Sequence, residues 1–572
     1  MKNLEVAELL NEIADYLEFS TDAKDRFKVR AYRKAALVIE GLSEDIEQVW
    51  KESRLEELPS IGEGIAKKID DFLKNNKSKY LEELKERIPV DMEGLGRVGG
   101  LGPKTILKLY KQLKIKTVDE LEKAAKQGKI QKIQRLGPVV EKNILKSIEF
   151  SRKSIRIPIG FALASAEEII REMKSCREVQ RVSIAGSTRR MKETIGDIDI
   201  LATSKAPEKV VEFFSKMPNV ADILAKGPTK SSVRLKEGIQ ADLRVLDDKI
   251  FGAALLYFTG NKEHNIMLRR IAIEKGFKLS EYGLFDKRTG KLISGVTEEG
   301  IYKKLGMDYI EPEMREDEGE IEMAQHHMLP KLLSYNDIKG DLQMHTKWSD
   351  GNSTIEEMAI AAKKLGHEYI CITDHTGALA IARALDEKRI VEQRKEIEKI
   401  NKKISGITIL QGAEVNIKDD GSLDTPNGML KELDIVVAAI HSGFKNPKEK
   451  ITARMVKAME NEHVDIIAHP TGRLLTKREG YEIDLDKVFE AAKKTRTIME
   501  INAYPERIDL RDADARAAVK AGVKLAISTD AHSTGQLHFM KIGIGTARRA
   551  WAAKSDIINT RSLKDMMRML KR

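Results

Sequence analysis

Three patterns of apolar and polar residues follow one another along the chain. Up to about residue 150, apolar residues recur at the spacing of amphipathic helices, which are rich in lysine and glutamate and are separated by glycine turns. From 151 to about 250, predicted strands alternate with helices. From about 337 onward, short apolar runs alternate with helical stretches. This last pattern predicts βα units and a barrel-like α/β domain, whose chemistry gathers at the C-terminal ends of the strands.

A hydrophobic-glycine motif occurs three times in the helical N-terminal part, each time directly before a predicted helix. The copies are Leu58–Gly64, Val98–Pro103 and a weaker one at Arg135–Pro138. Free N–H groups at a helix N-terminus can bind a DNA phosphate without reading a base. One copy alone would be compatible with an ordinary turn between helices, but three copies predict helix-hairpin-helix elements that bind DNA. The glycines expected at DNA are Gly62, Gly64, Gly100, Gly102 and Gly137.

Three aspartates in two predicted strands indicate a metal site. Asp197 and Asp199 are two residues apart in one strand, so their side chains should point to the same face. Asp242 shares the polar face of its own strand with Gln240 and Arg244. Three converging carboxylates are costly to ionise together unless divalent metal lies among them. Two Mg²⁺ ions would clamp the attacking and leaving oxygens of a phosphoryl reaction.

A possible phosphate-binding element precedes these aspartates. Gly186 and Ser187 lie before a predicted short helix, where backbone N–H groups and a hydroxyl can reach phosphate oxygens, and Arg189 and Arg190 follow directly. An Asp-x-Asp pair alone is usually a solvated strand end. Together with the Gly-Ser element and the third aspartate, it predicts nucleotidyl transfer from a nucleoside triphosphate.

Histidines and carboxylates follow the predicted strands of the C-terminal region. The strands are expected at 369–372, 408–410, 435–440, 465–467, 497–500 and 524–527. The candidate ligands, each expected just beyond a strand, are His345, Asp350, Asp374, His375, Glu414, His441, His469, Asp530 and His532. Histidine mixed with carboxylate favours Zn²⁺, Mn²⁺ or Fe²⁺ over Mg²⁺ alone. A cluster able to hold two or three ions predicts a metal-dependent phosphoesterase.

Composition narrows the class of protein. A chain of 572 residues is too long for one core, so several domains are expected. Cys176 and Cys371 are its only cysteines, which excludes a disulfide framework and favours a reducing, cytoplasmic location. No apolar run is long enough for a membrane span and no signal-peptide pattern opens the chain, so no membrane partner is expected. A net charge of +10 is compatible with a polyanionic partner.

These motifs together resemble bacterial and archaeal family X DNA polymerases that carry a C-terminal polymerase-and-histidinol-phosphatase (PHP) domain. The resemblance covers nearly all 572 residues. It implies a multidomain fold: an all-α helix-hairpin-helix N-terminal region, an α/β nucleotidyltransferase palm and a C-terminal α/β PHP barrel. The implied regions are a small N-terminal DNA-binding domain at 1–80, a duplex-binding fingers region at 81–150, the palm at 151–250, a nucleotide-selecting thumb at 251–315, an acidic linker at 316–336 and the PHP domain at 337–572.

The resemblance also implies roles for single residues. The catalytic ligands of Mg²⁺ or Mn²⁺ in the palm would be Asp197, Asp199 and Asp242. The nucleotide-binding residues would be Ser187, Arg190, Gly196, Tyr257, Phe258, Gly260, Asn265 and Arg269. Within this set, Ser187 and Arg190 would contact the triphosphate. Tyr257 and Phe258 would pack against the sugar and discriminate against ribonucleotides, and the last two residues would face the nascent base pair and the template.

Lys68 departs from the family pattern in its surroundings. It matches the lysine that removes a 5′ deoxyribose phosphate in vertebrate members, and Tyr32 and Lys28 match its neighbours. Two supporting basic positions are occupied instead by Gly64 and Tyr80. A nucleophilic lysine needs burial or nearby cations to lower its pKa. A lyase nucleophile and a surface lysine that contacts phosphate are therefore both compatible with the sequence.

The PHP half departs from the family at one ligand. The usual opening His-x-His motif reads Gln343-Met344-His345, so an amide replaces one imidazole. The other expected ligands, which would hold Zn²⁺ and/or Mn²⁺, are present.

The function implied is a monomeric DNA-directed DNA polymerase that fills short gaps during DNA repair. Its substrates would be gapped or primer-template DNA and dNTPs, and its PHP domain would carry a 3′–5′ exonuclease or phosphoesterase activity. Two alternatives are a polymerase with a degenerate, mainly structural PHP domain and a template-independent nucleotidyltransferase. The three hairpins and the Tyr257-Phe258 pair argue against the second alternative. The intact aspartates argue against a protein that only binds DNA ends.

Overall fold

The computed structural model covers two helical regions at the N-terminus and three mixed regions after them. It describes residues 2–18, 23–40, 46–75, 77–87, 90–92, 95, 98, 101, 103–133, 136–138, 140–142, 144, 145, 148, 156–377, 383–475 and 478–571. No helix among these residues is both long and apolar enough to cross a membrane. Short 3-10 helices lie at Leu55–Glu57, Ile130–Lys132, Asp248–Ile250, Pro312–Met314, Thr534–Phe539 and Ile558–Thr560.

The N-terminal part is helical, as its amphipathic pattern predicts. Its helices are α1 (Lys2–Leu17), α2 (Ala23–Glu40), α3 (Ile46–Lys51), α4 (Glu63–Asn75), α5 (Lys79–Arg87), α6 (Pro103–Leu113) and α7 (Val118–Lys126). The apolar faces of α1 to α5 form one core, which includes Leu81 and Leu84 of α5. A second core contains the buried apolar residues between Val90 and Ile148.

The next region is an α/β unit. Its elements are β1 (Ile157–Pro158), α8 (Ile159–Ser175), β2 (Arg181–Ile184), α9 (Gly186–Arg189), β3 (Thr194–Ile195), β4 (Asp197–Thr203), α10 (Pro207–Ser215), β5 (Val220–Lys226), β6 (Lys230–Leu235) and β7 (Gln240–Leu246). The main sheet has the order β2-β4-β7-β6-β5, in which β4 and β7 are parallel and the other pairs antiparallel. Along β7 buried residues alternate with partly buried ones, as the sequence pattern predicts.

A smaller unit with its own core follows. Its elements are α11 (Phe251–Thr259), α12 (Lys262–Glu274), β8 (Phe277–Ser280), β9 (Gly283–Asp286), β10 (Leu292–Ser294), α13 (Glu298–Lys304) and α14 (Glu320–Gln325). The three strands form an antiparallel sheet.

The segment 316–336, expected from the sequence to be an acidic linker, is packed at its start. Glu313, Arg315 and Glu320, at and just before the start of this segment, are buried, so the charged run is not a solvated spacer. Its carboxylates have cationic or imidazole partners: Glu313 pairs with Arg548 at 2.8 Å, and Glu320 with His264 at 2.7 Å. These carboxylates can be buried because each has a hydrogen-bonded partner, a guanidinium for Glu313 and an imidazole for Glu320.

The C-terminal region is a parallel barrel that is nearly closed. Its elements are β11 (Gly340–Asp341), α15 (Ile355–Lys364), β12 (Tyr369–Ile372), α16 (Glu387–Lys403), β13 (Thr408–Asn416), α17 (Asn427–Leu430), β14 (Ile435–Ala439), α18 (Lys448–Met459), β15 (Ile466–Ile467), α19 (Leu485–Thr495), β16 (Ile498–Asn502), α20 (Asp512–Ala521), β17 (Leu525–Ser528), α21 (Met540–Arg549) and α22 (Leu563–Met567). The strands pair in sequence order from β11 to β17. A parallel bridge between Met344 and Ala531 then joins the first strand region to the last.

The α/β unit and the barrel share a core. Ile542 of α21, together with Leu475 and Ile508, packs with the buried apolar residues beneath the sheet of β4 and β7. Ile544 of the same helix packs with the barrel core. A side chain at Gly160 would lie 2.5 Å from Pro505, so the two regions also approach closely through backbone. The barrel is therefore packed against the α/β unit.

Candidate active sites

Strand pairing brings the three aspartates of the α/β unit together near the start of β4 and β7. In the parallel register of β4 and β7, Asp199 lies opposite Asp242 and Asp197 lies opposite Gln240. The Gln240 amide donates a hydrogen bond to Asp242 Oδ2 at 3.0 Å. Residues predicted from two separate strands therefore occupy neighbouring positions.

Electrostatics of this site favour a bound cation. Burial, followed by repulsion from Asp197 and Asp242, raises the pKa of Asp199 to about 7, although Arg244 and Arg190 oppose the shift. Burial and Asp242 also raise the pKa of Asp197. Among the described residues, the groups of three or more acidic and histidine side chains whose ligand atoms lie within 4.8 Å of one another are all in the barrel. The hard oxygen atoms of these carboxylates fit Mg²⁺ or Mn²⁺.

The start of α9 packs directly against β4. Gly186 has φ +60°, and a Cβ at this position would overlap the carboxylate of Asp199. Only glycine combines this backbone conformation with so close an approach. Ser187, the next residue on α9, is therefore held beside the aspartates.

Arg190 lies between the α/β unit and the smaller unit. Its Nε donates to Glu316 Oε1 at 3.0 Å, and its Nη1 donates to the carbonyl of Thr259. Gly260 has φ +67°, and a Cβ there would lie 3.2 Å from Arg190 Nη1. A Cβ at Gly196 would lie 3.7 Å from Arg156 Nη1, so this glycine is less closely confined.

The aromatic pair Tyr257 and Phe258 lies in the last turn of α11. The rings of Tyr257 and Phe258 meet edge to face at 5.1 Å, and the Arg244 guanidinium lies 4.5 Å from the centre of the Phe258 ring. Asn265 donates to the carbonyl of Tyr257 at 2.8 Å, and Arg269 Nε donates to the carbonyl of Asn265 at 3.3 Å. The predicted nucleotide-binding residues of α11 and α12 therefore contact one another.

An ion-pair network that sequence reasoning missed joins α9 to the smaller unit. Arg189 binds both carboxylate oxygens of Glu298, at 2.9 and 2.6 Å, and Arg315 binds the same carboxylate at 2.7 Å. Burial raises the pKa of Glu298, but the two arginines outweigh it and hold that pKa at about 2. The partners lie 109 positions apart in the chain, so no local pattern could have indicated the pair.

The barrel gathers most of its candidate ligands around Glu414. His441 Nε2 and His469 Nε2 each lie 3.0 Å from Glu414 Oε1, and His345 Nε2 lies 3.2 Å from Glu414 Oε2. Glu414 lies inside β13, which continues to Asn416 and is longer than the run of apolar residues that predicted it. The strand was underestimated because Gln411 and Glu414 interrupt the apolar pattern.

A second part of the cluster surrounds Asp350. His375 Nε2 and His532 Nε2 each lie 3.6 Å from Asp350 Oδ2. Asp530 Oδ1 lies 3.2 Å from His345 Nε2, which links the two parts. Three groups have ligand atoms within 4.8 Å of one another: His345, Asp350 and His375; His345, Asp530 and His532; and His375, Glu414 and His441.

The donor atoms of the cluster fit divalent metal ions. The Nδ1 atoms of His345, His441 and His469 are buried without a hydrogen-bond partner. Burial lowers the pKa of His375 to about 4, so its ring is neutral and can act as a ligand. Buried polar atoms normally have partners, and a mixture of imidazole and carboxylate is the donor set of Zn²⁺ or Mn²⁺.

The carboxylate of Asp374, a candidate ligand from the sequence, is engaged by hydrogen bonds to neighbouring residues. It accepts hydrogen bonds from Thr346 N at 2.7 Å, Ser349 Oγ at 2.5 Å and Gln393 Nε2 at 2.7 Å. It therefore orients the loop that carries Asp350. A sequence cannot distinguish the two members of an Asp-His pair, because both follow the same strand.

Comparisons with known proteins identify the family. A helix-hairpin-helix domain matches residues 1–78, a DNA polymerase beta thumb matches 254–316 and a PHP domain matches 341–504. The DNA polymerase/3′-5′ exonuclease PolX of Bacillus subtilis (strain 168) is 40% identical over 575 aligned positions, which cover 100% of both chains. The chain belongs to the PolX family. The predicted family and multidomain fold are confirmed, and the polymerase and PHP domains of such proteins are metal-dependent in general.

Shorter relatives resemble part of this PolX chain. A probable phosphatase of Thermoanaerobacter sp. (strain X514) is 34% identical over 218 residues, which cover 36% of this chain and 84% of the relative. A probable phosphatase of Acetivibrio thermocellus is 32% identical over 189 residues, which cover 32% of this chain and 73% of the relative. These relatives are homologues of the PHP domain.

Gln343 faces the PHP cluster in place of the missing imidazole. Its Nε2 donates to Glu414 Oε2 at 2.9 Å, and its Oε1 is buried without a hydrogen-bond partner.

Three further residues at the cluster were not identified from the sequence: Glu500, Asn502 and Arg507. Asn502 Nδ2 donates to Asp530 Oδ2 at 3.1 Å, and Arg507 Nε lies 3.5 Å from the same oxygen. The pattern Glu500-x-Asn502 at the end of an apolar strand could have indicated the first two of these residues.

Glu500 contacts the cluster through the backbone of His469. Its Oε2 accepts a hydrogen bond from the backbone N–H of His469 at 2.7 Å, and its Oε1 is buried without a partner. Burial, with a contribution from Asp530, raises the pKa of Glu500 well above its usual value. The carboxyl group is therefore a candidate member of the metal-binding set.

In the N-terminal region, Gly62 and Gly64 are exposed at the start of α4, with open space where a Cβ would be. Gly137 precedes helical residues at 138 and 140–142, whereas Gly100 and Gly102 lie outside the described residues. Lys68 of α4 donates to the carbonyl of Gly64 at 3.0 Å and lies 4.3 Å from the centre of the Tyr80 ring. Burial, followed by repulsion from Lys28, lowers the pKa of Lys68.

Proposed function

We propose that this protein is a DNA polymerase that fills short gaps during repair, and that its PHP domain removes nucleotides from DNA 3′ ends. The observation that carries the polymerase assignment is the register of β4 and β7, which sets Asp199 beside Asp242 with Asp197 on the same strand. The full-length similarity to a DNA polymerase/3′-5′ exonuclease supports both activities.

In the palm, the three aspartates would hold Mg²⁺ or Mn²⁺. Such ions, when bound, neutralise phosphate charge and make the primer hydroxyl easier to deprotonate. Ser187 and Arg190 bind the triphosphate beside Asp199, and the flanking Gly196 and Gly260 let the backbone approach it. Catalysis is then mainly positioning and electrostatic stabilisation.

Selection of the nucleotide falls to α11 and α12. Tyr257 and Phe258 pack against the sugar and exclude a 2′-hydroxyl by steric conflict, which discriminates more strongly than a lost contact. Asn265 and Arg269 face the nascent base pair and the template. The hydrogen bond from Asn265 to the carbonyl of Tyr257 supports a shared site for sugar and base.

In the PHP domain, the histidine-carboxylate cluster would hold Zn²⁺ and/or Mn²⁺. These ions, when bound, supply a hydroxide nucleophile for phosphodiester hydrolysis. A mainly structural PHP domain is the second candidate. The buried Nδ1 atoms of His345, His441 and His469 have no hydrogen-bond partner and favour a working site. A buried nitrogen without a partner is costly unless it binds a metal ion.

The N-terminal region is proposed to bind the DNA around the gap. Gly62, Gly64, Gly100, Gly102 and Gly137 would contact phosphates through backbone N–H groups. The lowered pKa of Lys68 supports a lyase nucleophile at the 5′ side of the gap. We assign the functional regions as 1–80, 81–150, 151–250, 251–315 and 337–572, joined by a packed connection at 316–336, and we propose a monomer.

The test is primer extension on DNA with a one-nucleotide gap, with dNTP compared with NTP and Mg²⁺ compared with Mn²⁺. We expect Asp242→Ala to lower incorporation by at least about a hundredfold, because a metal ligand at the reaction centre is lost. Affinity for gapped DNA should change little, since phosphate contacts elsewhere supply most of it. Extension at the wild-type rate by this variant would contradict the palm assignment.

A further inference from the structure

The last turn of α21, an element of the PHP domain, reaches the nucleotide-binding loop of the palm. A Cβ at Gly545 would lie 2.6 Å from Met191 Cε, so the α21 backbone lies directly against the residue that follows Arg190. Arg549 ends the helix, is 5% exposed and donates from Nη1 to the carbonyl of Arg190 at 3.0 Å. The PHP domain therefore fixes the backbone of this loop.

The same arginine also reaches the Arg190 side chain through one carboxylate. Glu316 Oε1 accepts from Arg549 Nη1 and from Arg190 Nε, each at 3.0 Å. Asp512 of α20 holds the other side of the Arg549 guanidinium at 2.6 Å. Arg190, Glu316 and Arg549 are 13%, 14% and 5% exposed, so solvent screens this chain of charges weakly.

The charge balance of this chain affects how tightly Glu316 holds Arg190. Burial raises the pKa of Glu316, but Arg549, Arg190 and Lys192 outweigh it and lower that pKa, so the carboxylate is charged. Arg549 shares the charge of Glu316 with Arg190. Without Arg549, that charge would fall on Arg190 and Lys192, and Glu316 would compete more strongly with a triphosphate for the same guanidinium.

We propose that Arg549 of the PHP domain is a positioning residue of the polymerase site. It fixes the carbonyl of Arg190 and moderates the pull of Glu316. A guanidinium has five N–H donors, of which the bonds to Glu316 and Thr259 use two, and the others serve the triphosphate. The inference rests on the proposed contact between Arg190 and the triphosphate.

The experiment compares full-length Arg549→Ala, Arg190→Ala and the double variant with wild type in single-nucleotide gap filling. We expect Arg549→Ala to raise the KM for dNTP roughly tenfold, the size expected for a charged hydrogen bond, with little change in kcat or in affinity for gapped DNA. The double variant should be no worse than Arg190→Ala, because both substitutions act through the same guanidinium. Nuclease activity should stay at the wild-type value.

Arg516→Ala is the matched control. Arg516 lies on α20, pairs with Glu318 of the same connecting segment and covers the Trp551 ring at 3.5 Å. The Arg516→Ala substitution removes an arginine from the same interface but leaves the contacts of Glu316 intact. The KM of this variant for dNTP should therefore equal that of wild type. A comparable rise in KM for Arg516→Ala would show a general loosening of the interface and would overturn the proposal.

Asp512→Asn provides a second variant if Arg549→Ala does not fold. Asp512 is 30% exposed, and its loss loosens Arg549 without removing a group from the palm. We expect a smaller rise in KM for dNTP, roughly threefold. An unchanged KM in both Arg549→Ala and Asp512→Asn, or effects of Arg549→Ala and Arg190→Ala that multiply, would contradict the inference alone. An unchanged KM in Arg190→Ala would instead remove the proposed triphosphate contact.

Discussion

The two candidate metal sites of this chain differ in how the fold assembles them. The aspartate site of the proposed palm consists of carboxylates on two adjacent strands, and Asp197 is the most exposed of the three. The PHP site draws histidines and carboxylates from several strand ends of a barrel, and His345 and Glu414 are almost fully buried. In the aspartate site, burial and repulsion between carboxylates raise the pKa of Asp199, whereas in the barrel cluster the carboxylates lie beside imidazoles. A site that must admit DNA and a nucleotide in each cycle therefore depends on other regions, such as α21, to complete its surroundings.

The largest effect should come from Glu414→Gln. Glu414 contacts three histidines of the cluster, and an amide would lose the negative charge that holds the ions. We expect nuclease activity to fall by at least about a hundredfold, with loss of bound metal measured by elemental analysis and with gap filling unchanged. The control is Glu368→Gln, whose carboxylate is 51% exposed and pairs with Lys339 at the surface. If Glu414→Gln retained both bound metal and nuclease activity, the assignment of the nuclease metal site to the Glu414 cluster would be contradicted.

A smaller effect should come from Gln343→His. The amide oxygen of Gln343 is a weaker ligand for Mn²⁺ or Zn²⁺ than imidazole, so one ion of the cluster should be loosely held. We expect roughly tenfold tighter Mn²⁺ binding by calorimetry, with a matching fall in the Mn²⁺ concentration that gives half-maximal nuclease activity. Gln180→His serves as the control, because Gln180 is an exposed residue outside the cluster. Unchanged Mn²⁺ affinity would mean that position 343 does not face a metal.

The smallest effect should come from Tyr257→Ala. Tyr257 is 37% exposed, so its ring is only partly confined, and Phe258 beside it remains. We expect relative incorporation of ribonucleotides to rise a few fold, measured as the ratio of kcat/KM for NTP and dNTP on gapped DNA. Tyr282→Ala, which removes a more exposed ring of the same unit, should leave the ratio unchanged. An equal ratio in Tyr257→Ala and wild type would count against a steric gate for the sugar.

Local sequence patterns predicted the features that depend on residues close together in the chain. The spacing of Asp197 and Asp199 fixed their common strand, and the alternation around Asp242 matched the buried and exposed sides of β7. The barrel was predictable because βα units repeat and their polar residues follow apolar runs. The structure brings these residues together in space, and the roles of the single residues stay predictions.

Contacts between distant parts of the chain were not predictable. Glu316 meets Arg549, 233 positions later, so a run that reads as a solvated acidic linker is in fact packed. Likewise, Asp374 satisfies its carboxylate within the PHP domain, and only the structure separates it from its neighbour His375. Ile542, on α21 after the last barrel strand, lies in the core of the α/β unit, so the two regions are packed as neighbours and not joined by a free tether.

The central claim is that one chain carries two metal-dependent sites that act in opposite directions on a DNA 3′ end. The most direct measurement follows primer length over time on gapped DNA, with dNTPs and Mn²⁺ present, for wild type, Asp242→Ala and Glu414→Gln. We expect Asp242→Ala only to shorten the primer and Glu414→Gln only to lengthen it. If either substitution abolished both changes, or neither changed the balance, the assignment of polymerisation to the palm and hydrolysis to the PHP domain would be contradicted.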